Sequence, residues 1–353
     1  MLASRRAAPS DVTAIFKLER GSTCIVGNVK HPSPRAKTPR PVVVFANGHN
    51  SRIGNMLPLY LRLRKFCNQV GRELVFPFAE EVIGQVFEID GAETPRDSGH
   101  HAVLQSLYGR VVRSAEELME KRQGVASYGY SANEIHCVTF SELGVQVAFG
   151  RGVLDWQAYA AGFDLDPEVP LLLKDPFPFV FNGESFECVM QESSRILKPG
   201  NLMRERYELR NTERIENPGQ LTIGLHIRRG DFRRWSGGQY FIDDALTAQI
   251  LQTLIDKAAK SGRDIKIQVF SDEDLTAITA KYPQATFSGA SMQRDFVTLA
   301  MCDLVLSNGS TFSKVAASVG KYILNQDIAY FSLGENATAL HCLEKIDGFL
   351  TVL

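Results

Sequence analysis

The sequence predicts an α/β protein built from two doubly wound domains with a cleft between them. Three observations lead to this prediction. The chain has 353 residues, which exceeds one ordinary domain. Strand patterns alternate with helical patterns in two separate parts of the chain, as in proteins with parallel sheets. Polar clusters follow several of these strands, and ligands bind at the carboxyl ends of strands in open α/β sheets.

The first alternation begins at residue 41. Residues 1–40 are polar and contain proline, which is typical of a poorly ordered or peripheral lead-in. The segment PVVVFANGH (41–49) predicts a buried strand and its loop, a helical pattern runs from Met56 to Val70, and ELVFPF (73–78) predicts the next strand. This is a βαβ unit. We therefore predict an N-terminal α/β domain over 41–215.

The second alternation fills the rest of the chain. Its four predicted strands are 221–227, 265–274, 304–308 and 321–326 (KYILNQ). The helical patterns between them are 240–262, 292–303 and 309–320. These elements predict a C-terminal α/β domain over 216–353.

The composition restricts the partners and the location. The net charge is −1, which disfavours nucleic acid because duplex-binding proteins present a strongly basic face. No apolar run is long enough for a membrane-spanning helix, and the first residues lack the apolar core of a signal peptide. The six cysteines are scattered without a C-x-x-C pair, which indicates reduced thiols. We therefore predict a cytoplasmic protein without a transmembrane segment.

Three polar clusters follow strands of the second half. They are His226-x-Arg228-Arg229-Gly230-Asp231, Ser271-Asp272-Glu273 and the SNGSTFS segment at 307–313. An arginine can donate to two phosphate oxygens at once. The third cluster also opens a helix, whose unpaired N–H groups and neighbouring hydroxyls favour an anion. Together the clusters suit a nucleotide diphosphate.

Each cluster also has an interpretation that requires no such ligand. Arg229 can be a solvated surface charge, and His226 can be a core histidine between apolar neighbours. Ser310 and Thr311 can be helix caps and nothing more. The Asp272-Glu-Asp274 triplet can instead hold the metal of a metal-dependent sugar transferase. The convergence of three clusters at strand ends favours the ligand site.

Four segments, in order along the chain, resemble a known family. HIRRGDF (226–232) resembles the H-x-R-R-x-D signature of fucosyltransferases that act from GDP-fucose, which include α-1,2 and α-1,6 enzymes and protein O-fucosyltransferases. The segment from Asn50 to Asn55 resembles the family's G-R-x-G-N-Q loop, and FSDED (270–274) resembles its S/T-D-D segment. Residues 294–313 resemble its closing segment, which ends in S-T-F-S.

The resemblance implies a GT-B fold of two Rossmann-type domains, inversion at the sugar carbon and no metal cofactor. It implies GDP-fucose as the donor and a glycan hydroxyl as the acceptor. Arg228 would bind the β-phosphate, Asn55 and Arg52 would face the diphosphate and the reacting sugar, and Asp231 is the nearest candidate for the general base. The other residues implied for donor binding are His226, Arg229, Asp272, Asp295, Ser310, Thr311 and Ser313.

The sequence departs from the family pattern at three places. Met56 stands where the loop usually has Gln, and Ser236 stands where the α-1,6 enzymes carry a carboxylate thought to act as base. The run from Lys314 to Ser318 replaces a tryptophan-rich segment. The general base is therefore unassigned. Two alternatives stay open: a transferase for another nucleotide sugar, and a non-catalytic module that binds a nucleotide sugar or a glycan.

Overall fold

The computed structural model describes the second half of the chain almost continuously and the first half in shorter segments. The described residues are 41–45, 53–70, 73–76, 82–88, 135–140, 145–150, 152–153, 171–174, 179–180, 186–193 and 197–352. The predicted lead-in over 1–40 lies outside them, as does Arg52. Residues 38–353 form one compact unit, which contains every described residue.

Strands and helices alternate along the described residues. The strands are β1 (Pro41–Phe45), β2 (Glu73–Val75), β3 (Phe87–Glu88), β4 (Ile135–Phe140), β5 (Val145–Gly150), β6 (Gly152–Val153), β7 (Leu171–Lys174), β8 (Phe179–Val180), β9 (Lys198–Pro199), β10 (Leu221–Ile227), β11 (Ile265–Ser271), β12 (Ala285–Phe287), β13 (Leu304–Ser307) and β14 (Ala329–Ser332). The helices are α1 (Ile53–Val70), α2 (Phe186–Ser193), α3 (Asn201–Glu216), α4 (Asp244–Ser261), α5 (Thr276–Thr279), α6 (Met292–Leu299), α7 (Thr311–Tyr322), α8 (Ala339–Cys342) and α9 (Asp347–Val352). The predicted α/β class is confirmed.

The first sheet has the strand order β2-β1-β7-β5-β4. Its strands are parallel except for β4, which pairs antiparallel with β5. Helix α1 connects β1 to β2 and completes the predicted βαβ unit, although it begins at Ile53 and not at Met56. Met56, Tyr60, Leu63 and Cys67 of this helix are all buried, as their spacing predicts.

The second sheet has the order β12-β11-β10-β13-β14, and all its strands are parallel. In chain order, β10 is the first strand of this sheet. The next two, β11 and β12, lie on one side of it, and β13 and β14 lie on the other side. The order therefore reverses between β10 and β13, and such a switch point opens a crevice at the carboxyl ends of the strands.

Helices cover both faces of this sheet. On one face, α4 contributes Ile250, Leu254 and Ala258 to an apolar core. On the other face, Phe296 of α6 and Val315 of α7 belong to a core that continues into α1. Every residue of β10 is buried as a result, which explains the apolar character of its sequence.

The predicted strand at 321–326 is wrong. Helix α7 continues to Tyr322, and the last strand of this sheet is β14 instead; the short strand β12 was not predicted. Val315, Val319 and Tyr322 follow the helical spacing and pack on the same core, so tertiary burial outweighs the local strand preference. Asn325 ends this turn with a φ of 52°, a conformation that asparagine tolerates better than most residues.

Helix α3 occupies the polar stretch before the second sheet, where the sequence shows no helical apolar stripe. Its buried residues are Met203 and Arg210, and Nη2 of Arg210 donates to Asp303 at 2.6 Å. The helix is therefore anchored by a charge pair, which hydrophobic periodicity does not reveal. The predicted domain boundary between residues 215 and 216 falls at the end of α3, before the first strand of the second sheet. It stays a prediction.

Two further predictions concern the cysteines and the membrane. Cys67 and Cys302 are buried and Cys342 is half-buried, and none of the three forms a disulfide, as predicted. Cys188 is disulfide-bonded, so the prediction of reduced thiols is wrong for this residue. Among the described helices, none is both long and apolar enough to cross a bilayer.

Candidate functional site

An open cavity of about 270 Å³ lies at the carboxyl edge of the second sheet. Its lining residues are His226, Arg228, Phe270, Ser271, Asp272, Ala290, Met292, Asp295, Ser310 and Phe312. The three clusters that the sequence places at strand ends thus meet in one cavity. The cause is the topology, because the carboxyl ends of β10, β11 and β13 share one edge.

Arg228 follows β10 and lines the cavity. Its Nε and Nη2 donate to the two carboxylate oxygens of Asp231 at 2.6 and 2.7 Å. Among the described residues none accepts a hydrogen bond from Nη1. The Asp231 side chain is 57% exposed, and an ion pair in contact with water opens at little cost. Arg228 is therefore a cation that a ligand can recruit.

Arg229 does not line the cavity, in contrast to the prediction from the sequence. Its Nη1 donates to Asp244 at 2.6 Å and its Nη2 to Thr247 at 2.9 Å, both in the first turn of α4. Consecutive side chains of an extended segment point to opposite sides, so the two arginines diverge. Arg229 is buried and ties the start of α4 to the end of β10.

Asn308 is a residue of this edge that the sequence analysis did not single out. Its Oδ1 accepts from the backbone N–H of Arg228 at 3.0 Å, and its Nδ2 donates to the backbone oxygens of Arg228 at 2.8 Å and Tyr240 at 3.0 Å. The pairing of β10 with β13 ends at His226 and Ser307. The buried Asn308 amide extends that pairing by one residue and fixes the backbone that carries Arg228. Its position directly after an apolar strand is the signal that could have indicated it.

Asp272 lines the cavity beside this backbone. Its Oδ1 accepts from the N–H groups of Arg229 at 2.8 Å and Gly230 at 3.2 Å. A Cβ on Gly230 would lie 2.7 Å from Oδ2 of Asp272, so only glycine permits this approach. Asp274, the other aspartate of the triplet, accepts from the N–H of Thr276 at 2.8 Å and does not line the cavity. The two carboxylates thus have separate roles.

Asp295 and His226 form part of the cavity wall. The hydroxyl of Ser288 donates to Asp295 at 2.5 Å. Burial raises the pKa of Asp295 to about 6, although the Ser288 hydrogen bond opposes this shift. The His226 ring is buried, and its centroid lies 5.2 Å from that of Phe312. Both interpretations of His226 therefore hold, since it is a buried histidine at the edge of the cavity.

The third cluster forms the N-terminus of α7. Ser310 is the N-cap residue, lines the cavity and is 1% exposed. Its buried Oγ has no hydrogen-bond partner among the described residues, which is costly unless a ligand or water supplies one. Ser313 is fully buried and does not line the cavity, in contrast to the prediction. Its hydroxyl lies 2.7 Å from Oγ of Ser307 and 3.0 Å from the carbonyl oxygen of Ser310, and thereby shapes the turn.

The N-termini of α1 and α7 meet beside the cavity. Oδ1 of Asn55 accepts from the hydroxyl of Thr311 at 2.7 Å, so these two predicted residues are brought together. A Cβ on Gly54 would lie 2.5 Å from Cα of Phe312, so this approach requires glycine. Helix N-termini carry unpaired N–H groups and partial positive charge. The N-terminus of α1 therefore lies against that of α7, whose N-cap residue Ser310 lines the cavity.

Sequence reasoning also missed the apolar part of the wall. Phe270, Met292 and Phe312 line the cavity together with Ala290. Phe270 ends the apolar run of β11 and Phe312 lies within the S-T-F-S segment, so both were adjacent to predicted residues. A mostly apolar wall with a few polar groups is typical of small-molecule sites. The apolar wall and the Arg228 guanidinium together suit a ligand that has a flat ring and an anionic group.

Residues 203–324 match the family model of glycosyl transferase family 11. This stretch contains every described residue that lines the cavity, from His226 to Phe312. The match indicates that the protein is a glycosyltransferase, as the sequence predicts. The matched family is glycosyl transferase family 11, and the match confirms the resemblance to fucosyltransferases carried by HIRRGDF.

Several solved fucosyltransferase structures are similar to this chain at low identity. POFUT1 in complex with GDP-fucose has 15% identity and a TM-score of 0.48, over 83% of this chain and 98% of that one. NodZ alpha-1,6-fucosyltransferase soaked with GDP-fucose has 14% identity and a TM-score of 0.42, over 80% and 92%. Fucosyltransferase NodZ from Bradyrhizobium has 17% identity and a TM-score of 0.43, over 80% and 93%. Among curated protein sequences, none is significantly similar to this chain.

Proposed function

We propose that this glycosyltransferase transfers fucose from GDP-fucose to a hydroxyl of a glycan, with inversion at the sugar carbon and without a metal cofactor. One observation carries the proposal. Arg228 and the unpaired Ser310 hydroxyl at the N-terminus of α7 line the same cavity, within the stretch that matches family 11. A guanidinium and a helix N-terminus together bind a diphosphate well.

The carboxylates of the cavity favour guanine as the base. The Watson–Crick edge of guanine presents two N–H donors side by side, and a single carboxylate can accept from both. Asp295 is the half-buried carboxylate of the wall, and at neutral pH it is ionised because its pKa is about 6. Phe270, Met292 and Phe312 supply apolar surface for the ring. Uracil carries only one such N–H, so UDP should bind more weakly.

The proposed reaction needs charge stabilisation at the leaving group. The glycan hydroxyl oxygen forms a bond to the anomeric carbon, and the bond from that carbon to the β-phosphate oxygen breaks with its electrons going to GDP. Arg228 and the N-terminus of α7 line the cavity, and in this proposal they supply positive charge to the leaving group without a metal. A base takes the hydroxyl proton. Asp231 is the nearest candidate, but both its oxygens accept from Arg228, so it must first leave that pair.

The donor can be tested by calorimetry with GDP, GDP-fucose, UDP and ADP, all in the presence of EDTA. We expect micromolar binding of the two guanosine nucleotides and weaker binding of the others. Arg228→Ala should weaken GDP binding by about 1.5–3 kcal/mol, because a charge-assisted hydrogen bond is lost. The matched control is Arg234→Ala, which removes an exposed arginine of the same cluster that does not line the cavity.

The outcomes separate the alternatives. A folded protein that binds neither guanosine nucleotide contradicts the fucose donor, and tight binding of UDP or ADP indicates another nucleotide sugar. Loss of binding or turnover in EDTA contradicts metal independence. A non-catalytic module is the second candidate, because both carboxylate oxygens of Asp231, the nearest candidate for the base, accept from Arg228. Release of GDP together with labelled fucose in a glycan product would reject it. The cytoplasmic location stays a prediction.

A further inference from the structure

We infer that three aromatic side chains beside Arg228 form the surface on which a sugar ring of the acceptor stacks. They are Phe232, Trp235 and Tyr240, here called the aromatic platform. The inference rests on the proposed function, because it assigns a place to the acceptor of that reaction. It concerns surface outside the lining of the cavity described above.

The three rings of the aromatic platform pack against one another, and one side of the cluster is exposed to solvent. The rings of Phe232 and Trp235 stack with centroids 5.0 Å apart and planes 21° apart. Tyr240 lies 4.9 Å from the Trp235 ring. Phe232 is buried and Trp235 is 51% exposed, so the inner ring supports an outer one that water still reaches. Supported, half-exposed indole surface is a common way to bind the apolar face of a pyranose.

The backbone after the indole is strained. Ser236, Gly237 and Gly238 all have positive φ, at 53°, 69° and 81°. Glycine adopts this conformation without cost, whereas serine seldom does, and such strain gathers at functional sites. Three successive left-handed residues turn the chain back toward Tyr240 and keep Trp235 at the surface.

The platform meets the cavity at Arg228. The guanidinium carbon of Arg228 lies 5.2 Å from the centre of the Phe232 ring, and the same side chain lines the cavity. If Arg228 binds the β-phosphate, the attacking hydroxyl must arrive next to it, outside the part that holds the nucleoside. The exposed carboxylate of Asp231 borders the same place and can accept from sugar hydroxyls. Apolar ring surface beside a carboxylate matches the two sides of a sugar.

The test compares the full-length wild type with Trp235→Ala and Trp235→Phe. GDP-loaded protein is first applied to a printed glycan array, and the best ligand then serves as acceptor for kinetics with GDP-fucose. We expect Trp235→Ala to raise the acceptor KM at least tenfold, with kcat and the GDP dissociation constant changed less than twofold. Trp235→Phe should recover most of the affinity. The matched control is Leu209→Ala on α3, whose side chain is 52% exposed and should change neither constant.

A second readout follows the indole itself. The chain has two tryptophans, and Trp156→Phe leaves Trp235 as the sole indole fluorophore. Addition of the array ligand should shift its emission in a saturable way. An acceptor KM unchanged in Trp235→Ala, an emission that no array glycan shifts, or an array without signal would each overturn the inference. If one of these negative results is obtained and the wild type still binds GDP-fucose, only the acceptor role of the aromatic platform is contradicted. If the wild type does not bind GDP-fucose either, the proposed donor is contradicted as well.

Discussion

The two edges of the second sheet each carry an arginine–aspartate pair with the same contact distance. At the amino edge, Arg210 of α3 contacts Asp303 at 2.6 Å, and the two side chains are 4% and 12% exposed. At the carboxyl edge, Arg228 contacts Asp231 at 2.6 Å, and the two are 18% and 57% exposed. The chemistry of the pairs is identical, and the difference lies in their access to water.

That difference separates a structural pair from a functional one. Asp303 also accepts from Arg214 at 2.7 Å and from the backbone N–H of Thr222 at 2.7 Å, so its oxygens are fully occupied inside the protein. Asp231 has a single cationic partner and faces solvent. A buried pair cannot exchange partners without a large desolvation cost, whereas an exposed pair can. The amino edge therefore fastens α3 to the sheet, and the carboxyl edge keeps a cation available.

The largest expected effect is on stability at the amino edge. Asp303→Ala removes the carboxylate 2.6 Å from the buried Arg210 and leaves it only Glu213 at 3.7 Å, and we expect the free energy of unfolding to fall by about 3–5 kcal/mol. Urea denaturation followed by circular dichroism measures this change. The matched control is Asp231→Ala, which should cost less than about 1 kcal/mol. Equal losses in the two variants would show that burial does not separate the pairs.

The next effect is on catalysis at the carboxyl edge. Arg228→Ala should lower kcat/KM for fucose transfer by about 10²–10³, or about 2.7–4 kcal/mol, because a preorganised charge at the leaving group is lost. Its free energy of unfolding should change little, since the pair is partly exposed. Steady-state kinetics and urea denaturation on the same preparation measure both. If Arg228→Ala lowers the free energy of unfolding but leaves kcat/KM unchanged, the role of Arg228 is structural, like that of Arg210.

A smaller effect is expected where structure and function meet, at Asn308. Asn308→Ala removes the hydrogen bonds that hold the backbone of Arg228, and we expect a loss of about 1–3 kcal/mol in transition-state stabilisation. The loss should appear in kcat more than in the KM for GDP-fucose, because the guanidinium is misplaced but present. The control is Thr253→Ala on α4, which removes an exposed helix hydroxyl and should alter neither constant. A loss confined to stability would reduce Asn308 to a structural role.

The smallest effect is a pH dependence at Asp295. As pH falls below about 6, this carboxyl gains a proton and can no longer accept from both guanine N–H groups, so GDP affinity should fall about tenfold per pH unit. Asp295→Asn should bind GDP weakly at every pH and remove this dependence. Calorimetry from pH 5 to 8 measures both proteins. A wild-type affinity that is flat across this range would exclude Asp295 from base recognition.

The same carboxyl has the opposite effect on stability of the protein without nucleotide. Its pKa in the folded state is raised from 3.8 to about 6 because burial disfavours the charged form. Its contribution to folding is therefore present below its unfolded pKa and is lost as pH rises through about 6. Nucleotide binding and unliganded stability should thus change in opposite directions between pH 4 and 6.

Much of the site could be predicted because strand ends and helix starts are visible in the sequence. His226, Arg228, Asp272, Asp295 and Ser310 were all predicted and all line the cavity. The first three follow or end apolar strands, and the last two lie in the first turn or at the cap of a helix. In a parallel α/β sheet such positions converge whatever residues fill the rest of the chain.

The rest depended on contacts between residues far apart in the chain. Arg228 and Arg229 are neighbours in sequence, yet Asp231 keeps one beside the cavity while Asp244 and Thr247 draw the other into the core. Asn308 matters because β13 lies next to β10, which only the strand order reveals.

The sequence by itself determined the α/β class, the strands β10, β11 and β13 and the positions at which polar side chains leave the sheet. These follow from hydrophobic periodicity, which is a local property. The tertiary structure alone decided that Arg228 and not Arg229 lines the cavity, that Asp303 is buried in an ion pair, and that KYILNQ begins as the last turn of a helix. Those outcomes depend on burial, and burial is set by elements that arrive from elsewhere in the chain.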